Sequence, residues 1–378
     1  MASDAIRCNG SVSRRQAVPE ELLVLARRQG GLVSAEQCDA VGVGPSRRRS
    51  FVTGGAWRRV IRGVYDTGDV PVGLHPHDAA RQRAAWTALL TNRRAIAVGA
   101  CALVLHGVQG LPRRITPEYA LPRGAAGRPR DGIVLRQYVT RAETVRIRGR
   151  EVAGVECALV QALPTLSRDE AVATLDSALH QGLIDVTQLA SIRRRLRRRR
   201  DAFKVIPWLA LTDGRAESPP ESHARLRLHD AEIAPDDLQR DFFDATGRFL
   251  GRADMAWHLG AGRWLIVEID SQEFHGTDRQ AERDAVRQNG LLSEGRNIVL
   301  RFFPTHLSTN DIVTQVADIL RRSTWRPPAH PSSKVLTTAV AATDGPRVAA
   351  TAVVNVGGAG WSEPGHTRAG NTMWFTND

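Results

Sequence analysis

The chain has 378 residues, enough for two or three hydrophobic cores at the ~100–200 residues a domain usually holds. No apolar run approaches the ~20 residues that cross a bilayer, and charge together with Pro19 stands where a secretory signal would place its apolar centre, so a multidomain cytoplasmic protein with no membrane partner is expected. The net charge of +12 is uneven, with 33 Lys/Arg against 17 Asp/Glu in residues 1–200 and 19 against 23 in the remainder, which points the basic half toward a polyanion, nucleic acid first.

Cys8, Cys38, Cys101 and Cys157 lie far apart with no C-x-x-C pair, so neither a zinc site nor a disulfide framework is indicated. Residues 1–16 are polar and aperiodic and are expected to be disordered. From Pro19 the segment EELLVLARRQ has helical spacing and stops at Gly30-Gly31. Ser34-Ala-Glu-Gln37 forms a capping box, so a short second helix runs from there to about Gly42. A third helix is predicted from Pro45 to Thr53, and its polar side carries Arg47, Arg48 and Arg49. A Gly-containing turn between helices two and three, followed by WRRVIRGVY as short strands, is the pattern of a winged helix-turn-helix over residues 17–70. The segment from Leu32-Val33-Ser34 through Gly63-Val64-Tyr65 resembles the winged-helix domain of the AbiEi family of antitoxins and regulators. That resemblance implies DNA contact through Arg47, Arg48, Arg49, Arg58 and Arg59, and a nucleotidyltransferase-type toxin as a partner.

Residues 75–200 read as a mixed α/β middle region. Helices are expected at Asp78–Leu90, Ala95–His106, Cys157–Leu163, Arg168–Gln181 and Val186–Arg200, and strands at Ile133–Tyr138, Val145–Arg148 and Glu151–Val155. No catalytic constellation stands out, and His106 reads as a core or helix-end residue. The arginine run from Arg193 to Arg200 either binds phosphate or forms a solvated helix end before a linker at 201–217.

Carboxylates dominate residues 218–322. Ser218-Pro219-Pro220-Glu221 opens a helix with Ser as N-cap and Glu221 in the first turn. Strands follow at Leu238–Phe243, Phe249–His258 and Arg263–Asp270. With Ala261 at the hairpin centre, facing residues sum to 522, which sets Asp254 opposite Glu268 with Asp270 two residues along on the same face. The other parity gathers Met255, Trp257, Leu265, Val267 and Ile269, as a sheet buried on one side requires. Acids this close repel unless a hard divalent cation holds them ionised, which makes Mg²⁺ or Mn²⁺ the expected cofactor and phosphodiester hydrolysis the expected chemistry. Salt bridges from Arg252, Arg283 or Arg287 to the same acids are the competing explanation.

A second capping box at Thr277-Asp-Arg-Gln280 starts a helix to about Glu294, then come a strand at Ile298–Phe303 and a helix at Ile312–Arg322. The resulting αβββαβ order, with Glu221-Ser222, Gln239, Gly251-Arg-Ala-Asp254, Val267-Glu-Ile-Asp270, His275, Arg283-Asp284, Arg287 and Leu300-Arg-Phe302, resembles the restriction-endonuclease-like PD-(D/E)XK nucleases. Within them it is similar to an actinobacterial branch related to the very-short-patch-repair (Vsr) endonucleases. The resemblance implies metal binding by Asp254 and Glu268, with Asp270 where a lysine is common. It further implies proton transfer or phosphate contact at His275, and Arg283, Arg287 and Arg301 contacting phosphate or holding the acids. The E-x-K lysine is absent, since residues 268–270 read Glu-Ile-Asp. Residues 323–378, rich in small and polar types, are expected to form a disordered tail. The whole is an α+β or α/β multidomain chain. Its expected function is metal-dependent DNA cleavage. Operator binding without chemistry, and RNA as the substrate, remain alternatives.

Overall fold

In the computed structural model, residues 17–70, 73–127, 132–137, 144–270 and 297–327 are described. They form a mixed assembly of helices and sheets. The first element is helix α1 (Glu20–Arg28), followed by strand β1 (Leu32–Ser34) and helices α2 (Ala35–Ala40) and α3 (Pro45–Thr53). Strands β2 (Arg58–Ile61) and β3 (Val64–Asp66) then pair antiparallel, and β3 also pairs with β1 to give the order β1-β3-β2. The capping box at Ser34 and Gln37 forms as its spacing requires: the Ser34 hydroxyl accepts from Gln37 N, and the Gln37 side chain accepts from Ser34 N. Leu22, Ala26, Val33, Cys38, Val43 and Trp57 close a small core between helices and sheet.

This unit is tied to the residues C-terminal to it. Leu32 and Val64 bury in the larger core of the next region, and Arg83 donates to Asp66 Oδ2 (2.8 Å) and to the Gly30 carbonyl (2.9 Å). That region contains α4 (Pro76–Leu90), β4 (Ile96–Ala97), α5 (Gly99–Leu105), β5 (Glu118–Ala120), β6 (Val134–Arg136), β7 (Thr144–Ile147) and β8 (Arg150–Ala153). Its five strands run β6-β5-β4-β8-β7. Helices α6 (Val155–Ala162), α7 (Arg168–His180) and α8 (Val186–Leu196) complete it.

Three expectations are corrected here. The single helix expected over Ala95–His106 is a strand and a helix, because Gly99 takes φ +52 beside the buried Glu118, where an added Cβ would lie 2.2 Å from Oε1. Helix α8 stops at Leu196 rather than Arg200. Residues 201–217 are no extended linker: two 3-10 turns, Arg200–Val205 and Pro207–Leu211, bury Ala202, Val205 and Leu209 in the central core. His106 caps α5, and its Nε2 lies 2.8 Å from the Ala153 carbonyl, which is the structural role its position suggested.

The C-terminal region begins with α9 (Pro219–Asp230) and continues through β9 (Asp237–Phe243), β10 (Phe249–Gly260) and β11 (Arg263–Ile269). Strand β12 (Asn297–Phe302) and helix α10 (Asp311–Arg321) follow, and the helix expected from Thr277 lies outside the described residues. The sheet order is β12-β11-β10-β9, with only the β11–β12 pair parallel. Met255, Trp257, Leu265, Val267 and Ile269 meet Ala224 and Leu228 of α9 and Ile312, Val316 and Leu320 of α10. The last three recur every fourth residue, so they form one stripe along α10, and each contributes about 1.5–3 kcal/mol on burial. The chain does not leave this core at residue 322. Trp325 is buried in it and its indole N–H donates to Asp236 Oδ1 (3.1 Å), so the expected tail boundary falls too early.

Candidate functional site

From His258 back to Met255 the hairpin register is the expected one, whereas at the turn Gly260 pairs with Arg263 and a bulge between His258 and Gly260 takes up the one-residue difference. Met255 faces Val267, Trp257 faces Leu265 and His258 faces Trp264, and one step further brings Asp254 across from Glu268. On the other side, Leu238 faces Met255 and Arg240 faces Ala253, which brackets Gln239 with Asp254. In the parallel pair Glu268 faces Arg301. A single polar row therefore crosses all four strands: Gln239, Asp254, Glu268, Arg301.

Helix α9 joins this level at its β9 end, through Gln239. Gln239 Nε2 donates to Glu221 Oε2 (2.9 Å), which also accepts from Glu217 N (2.9 Å), while the Ser218 hydroxyl donates to Glu221 Oε1 (2.7 Å). Burial pushes the Glu221 carboxyl up from its ordinary range against those three donors. Gln239 reaches Glu221 with its backbone at φ +52, in the left-handed region that costs a non-glycine residue about 1–2 kcal/mol. The reversal also switches the pleat. Leu238 joins the core under α9 and α10, whereas Phe242, four residues on, joins a second cluster with Leu250, Ala256 and Ile266. A regular strand would put both on one face.

Asp254 is half-buried and its Oδ2 accepts from Ile269 N (2.7 Å), the amide between Glu268 near the end of β11 and Asp270 just beyond it. Arg301 donates to Glu268 Oε2 at 3.0 Å, and its other terminal nitrogen stands 4.0 Å from Asp270 Oδ2. The guanidinium that sequence reading offered as either a phosphate contact or a holder of the acids is thus a holder here. Arg252, another candidate partner of the acids, turns instead to Glu217 (3.5 Å) and to the Gln239 carbonyl (3.3 Å). Asp254, Glu268 and Asp270 are oxygen donors of the kind a hard divalent cation takes. Among the described residues, however, no three His, Cys, Asp or Glu side chains stand close enough to hold an ion. The donor chemistry fits and the spacing does not, and Arg301 stands against Glu268 where an ion would have to sit. His275, Arg283 and Arg287 lie outside the described residues.

The arginines of the N-terminal unit divide by burial. Arg48 does not present itself to solvent as its place on the polar side of α3 suggested. It is buried and donates to the carbonyls of Val43 (2.7 Å) and Ala35 (3.2 Å), pairs with Asp39, and lies over the Tyr65 ring. Arg47 is half-buried and donates to the Ala17 carbonyl (2.6 Å). Arg49 and Arg59 are exposed, and Arg58, also exposed, pairs with Asp66 at 3.2 Å.

Sequence reading did not find the joint that holds α9. Asp176 of α7 is 1% exposed, and its Oδ2 accepts from the Ser222 hydroxyl (2.8 Å) and from Arg225 (2.8 Å), while Oδ1 accepts from Asp213 N (2.7 Å). At the far end of α9, Arg168 makes a two-pronged contact with Asp230 (2.9 and 2.5 Å). The one available signal was an aspartate in the middle of the alanine-rich helix RDEAVATLDSALH, where an unpaired charge is costly.

Among the described residues, no helix is long and apolar enough to cross a membrane. No family model matches the chain. It is similar to two Mycobacterium tuberculosis proteins, Uncharacterized protein MT2308 of strain CDC 1551 / Oshkosh and Uncharacterized protein Rv2248 of strain H37Rv, each 31% identical over 181 residues. The similarity takes in 48% of this chain and 65% of each relative, so the chain spans just under two thirds of the length of the curated relatives it matches.

Proposed function

We propose that the chain is a metal-dependent DNA endonuclease of the restriction-endonuclease-like type, targeted by an N-terminal winged helix. The observation that carries this reading is the polar row of Gln239, Asp254 and Glu268 at one level of a four-stranded sheet, with Glu221 joined to it from the preceding helix. The order α9-β9-β10-β11 followed by β12 and α10 is compatible with the αβββαβ nuclease core. For the first unit, the order of three helices and a three-stranded sheet is compatible with a winged helix, in which exposed Arg49, Arg58 and Arg59 would meet phosphates or base edges.

In this reading Asp254, Glu268 and Asp270 would hold Mg²⁺ or Mn²⁺ only once Arg301 leaves Glu268 and the three acids draw together, since as they stand they are not spaced to hold an ion. A bound divalent ion supplies an acidified water and offsets charge on the phosphate. The residues of the chain do the positioning. The Ile269 amide orients Asp254, the Glu221–Gln239 bond fixes the level of β9, and Arg301 holds Glu268 and Asp270 together in its absence. The test is cleavage of supercoiled and mismatched plasmid with Mg²⁺ or Mn²⁺. Nicking by the wild type that disappears in both Asp254→Ala and Glu268→Ala supports the nuclease, and intact plasmid in both metals overturns it for those substrates.

The Arg301–Glu268 pair favours a second reading, a DNA-binding regulator of the antitoxin type whose acid patch is permanently closed. Operator binding with no cleavage, and co-purification with a nucleotidyltransferase-type toxin, would select it.

A further inference from the structure

The arginine run that ends α8 splits into two sets. Arg195 donates to Glu156 Oε1 (3.0 Å), and Arg199 donates to Asp201 Oδ2 (2.6 Å) and to the Val160 carbonyl (3.1 Å), so these two tie the helix end to its surroundings. Arg194, Arg197 and Arg198 are exposed, and among the described residues no carboxylate lies within ion-pair distance of them. Arg194 lies in the last turn of α8, Arg197 is its C-cap residue in helical backbone conformation three positions on, and Arg198 follows in the turn. Leu189, Ile192 and Leu196 of the same helix are buried.

The turn that follows the helix end in sequence carries an aromatic ring in water. In the 3-10 turn Arg200–Val205, Ala202 and Val205 point into the core, and between them Phe203 is 83% exposed. It is the most exposed of the large apolar side chains described. Lys204 beside it is also exposed and lies over the Trp208 ring at 5.7 Å.

We propose that the end of α8 and the turn after it form a binding site for single-stranded nucleic acid, distinct from the N-terminal helical unit. Arg194, Arg197 and Arg198 take phosphates, and Phe203 stacks on an unpaired base. An exposed ring within a few residues of exposed cations that have no carboxylate partner among the described residues is the combination such sites use, because every base offers a π face and the backbone needs only charge. A duplex hides its base faces, so the ring discriminates for the unpaired strand. An anionic membrane surface would use the same cations but needs an apolar helix face to insert, and the apolar face of α8 is already buried.

The test is fluorescence anisotropy of the full chain with a labelled mixed-sequence 20-nucleotide strand and with its duplex, in EDTA so that cleavage plays no part. Failure of the nuclease reading therefore leaves this measurement intact. Phe203→Ala is expected to weaken the single strand about tenfold and the duplex less than twofold, with Phe203→Trp restoring the single-strand affinity. The triple substitution R194A/R197A/R198A is expected to lower the salt slope of single-strand binding by about 2, at ~0.7 per phosphate. Unchanged melting temperatures are expected in all variants, since these side chains bury nothing. Equal affinity of Phe203→Ala and wild type for the single strand overturns the proposal. So does binding to phosphatidylserine vesicles without binding to the oligonucleotide.

Discussion

Two carboxylate–guanidinium pairs of this protein do opposite work. Between α7 and α9, Asp176 and Arg225 are almost sealed from water, and both oxygens of the acid are engaged by three separate donors. On the sheet, Glu268 is as deeply set but its partner Arg301 is 26% exposed and sits between two acids. A buried charge that loses its partner is left unsolvated, so the first pair can only be a fixed joint. In the second pair the guanidinium has solvent to move into, and on the proposed reading a divalent cation would take its place against the acids. Burial of the partner, more than the length of the contact, separates a clamp from a site.

The sharpest way to break this contrast is at the joint. Asp176→Ala is expected to cost about 3–5 kcal/mol in urea unfolding, because Arg225 is then stranded. Its charge state adds a pH signature. Burial pushes the Asp176 carboxyl up to about 6 from its ordinary value near 3.8, with Arg225 pulling the other way. An acid raised in the folded state contributes stability that is full below about pH 3.8 and lost as pH rises through about 6. The deficit of Asp176→Asn is therefore larger near pH 4 than near pH 7, and a pH-independent deficit would contradict the assignment.

A smaller effect is expected where one arginine is buried and its neighbour is not. Arg48→Ala loses its bonds to Val43, Ala35 and Asp39 and costs about 2–3 kcal/mol. Arg49→Ala leaves the melting temperature unchanged and lowers the salt slope of duplex binding by about 1. Equal effects of the two on stability would remove the distinction.

At the acid row, Arg301→Ala is expected to cost about 1–2 kcal/mol without divalent ions. Millimolar Mg²⁺ or Mn²⁺ then raises its melting temperature by more than that of the wild type, because binding to the folded state alone stabilises it. No metal response in the variant would assign the pair to the clamp class. The smallest change is Gln239→Gly, which relieves the left-handed backbone and loses the bond to Glu221. These offset to within about 1 kcal/mol in stability. Any cleavage activity should nonetheless fall, since the level of β9 is no longer held.

Much of this was legible locally. The Ser34 and Ser218 caps and the Pro45–Thr53 helix depend on a few adjacent side chains, and each forms where its residues stand. The two-residue alternation of the hairpin strands places Met255 against Val267, although a bulge between His258 and Gly260, not foreseen from the turn, lies between that pair and the turn. What sequence reading misplaced was non-local. Ile96–Ala97 continues a helical pattern but becomes a strand because β5 and β8, more than 20 residues downstream, pair with it. Residues 201–217 look like a linker by composition, yet pack because a core is waiting for Ala202, Val205 and Leu209.

The sequence by itself determined the helix starts at Ser34, Pro45 and Ser218 and the alignment of Asp254 with Glu268, because caps and pleats are decided by residues within a few positions of one another. Only the tertiary structure decided that Arg48 turns inward, that Arg301 rather than Arg252 meets Glu268, and that Asp176 anchors α9. Each of those side chains had several oppositely charged residues to choose from, and the choice was made by which of them the packing brought near and which it sealed from water.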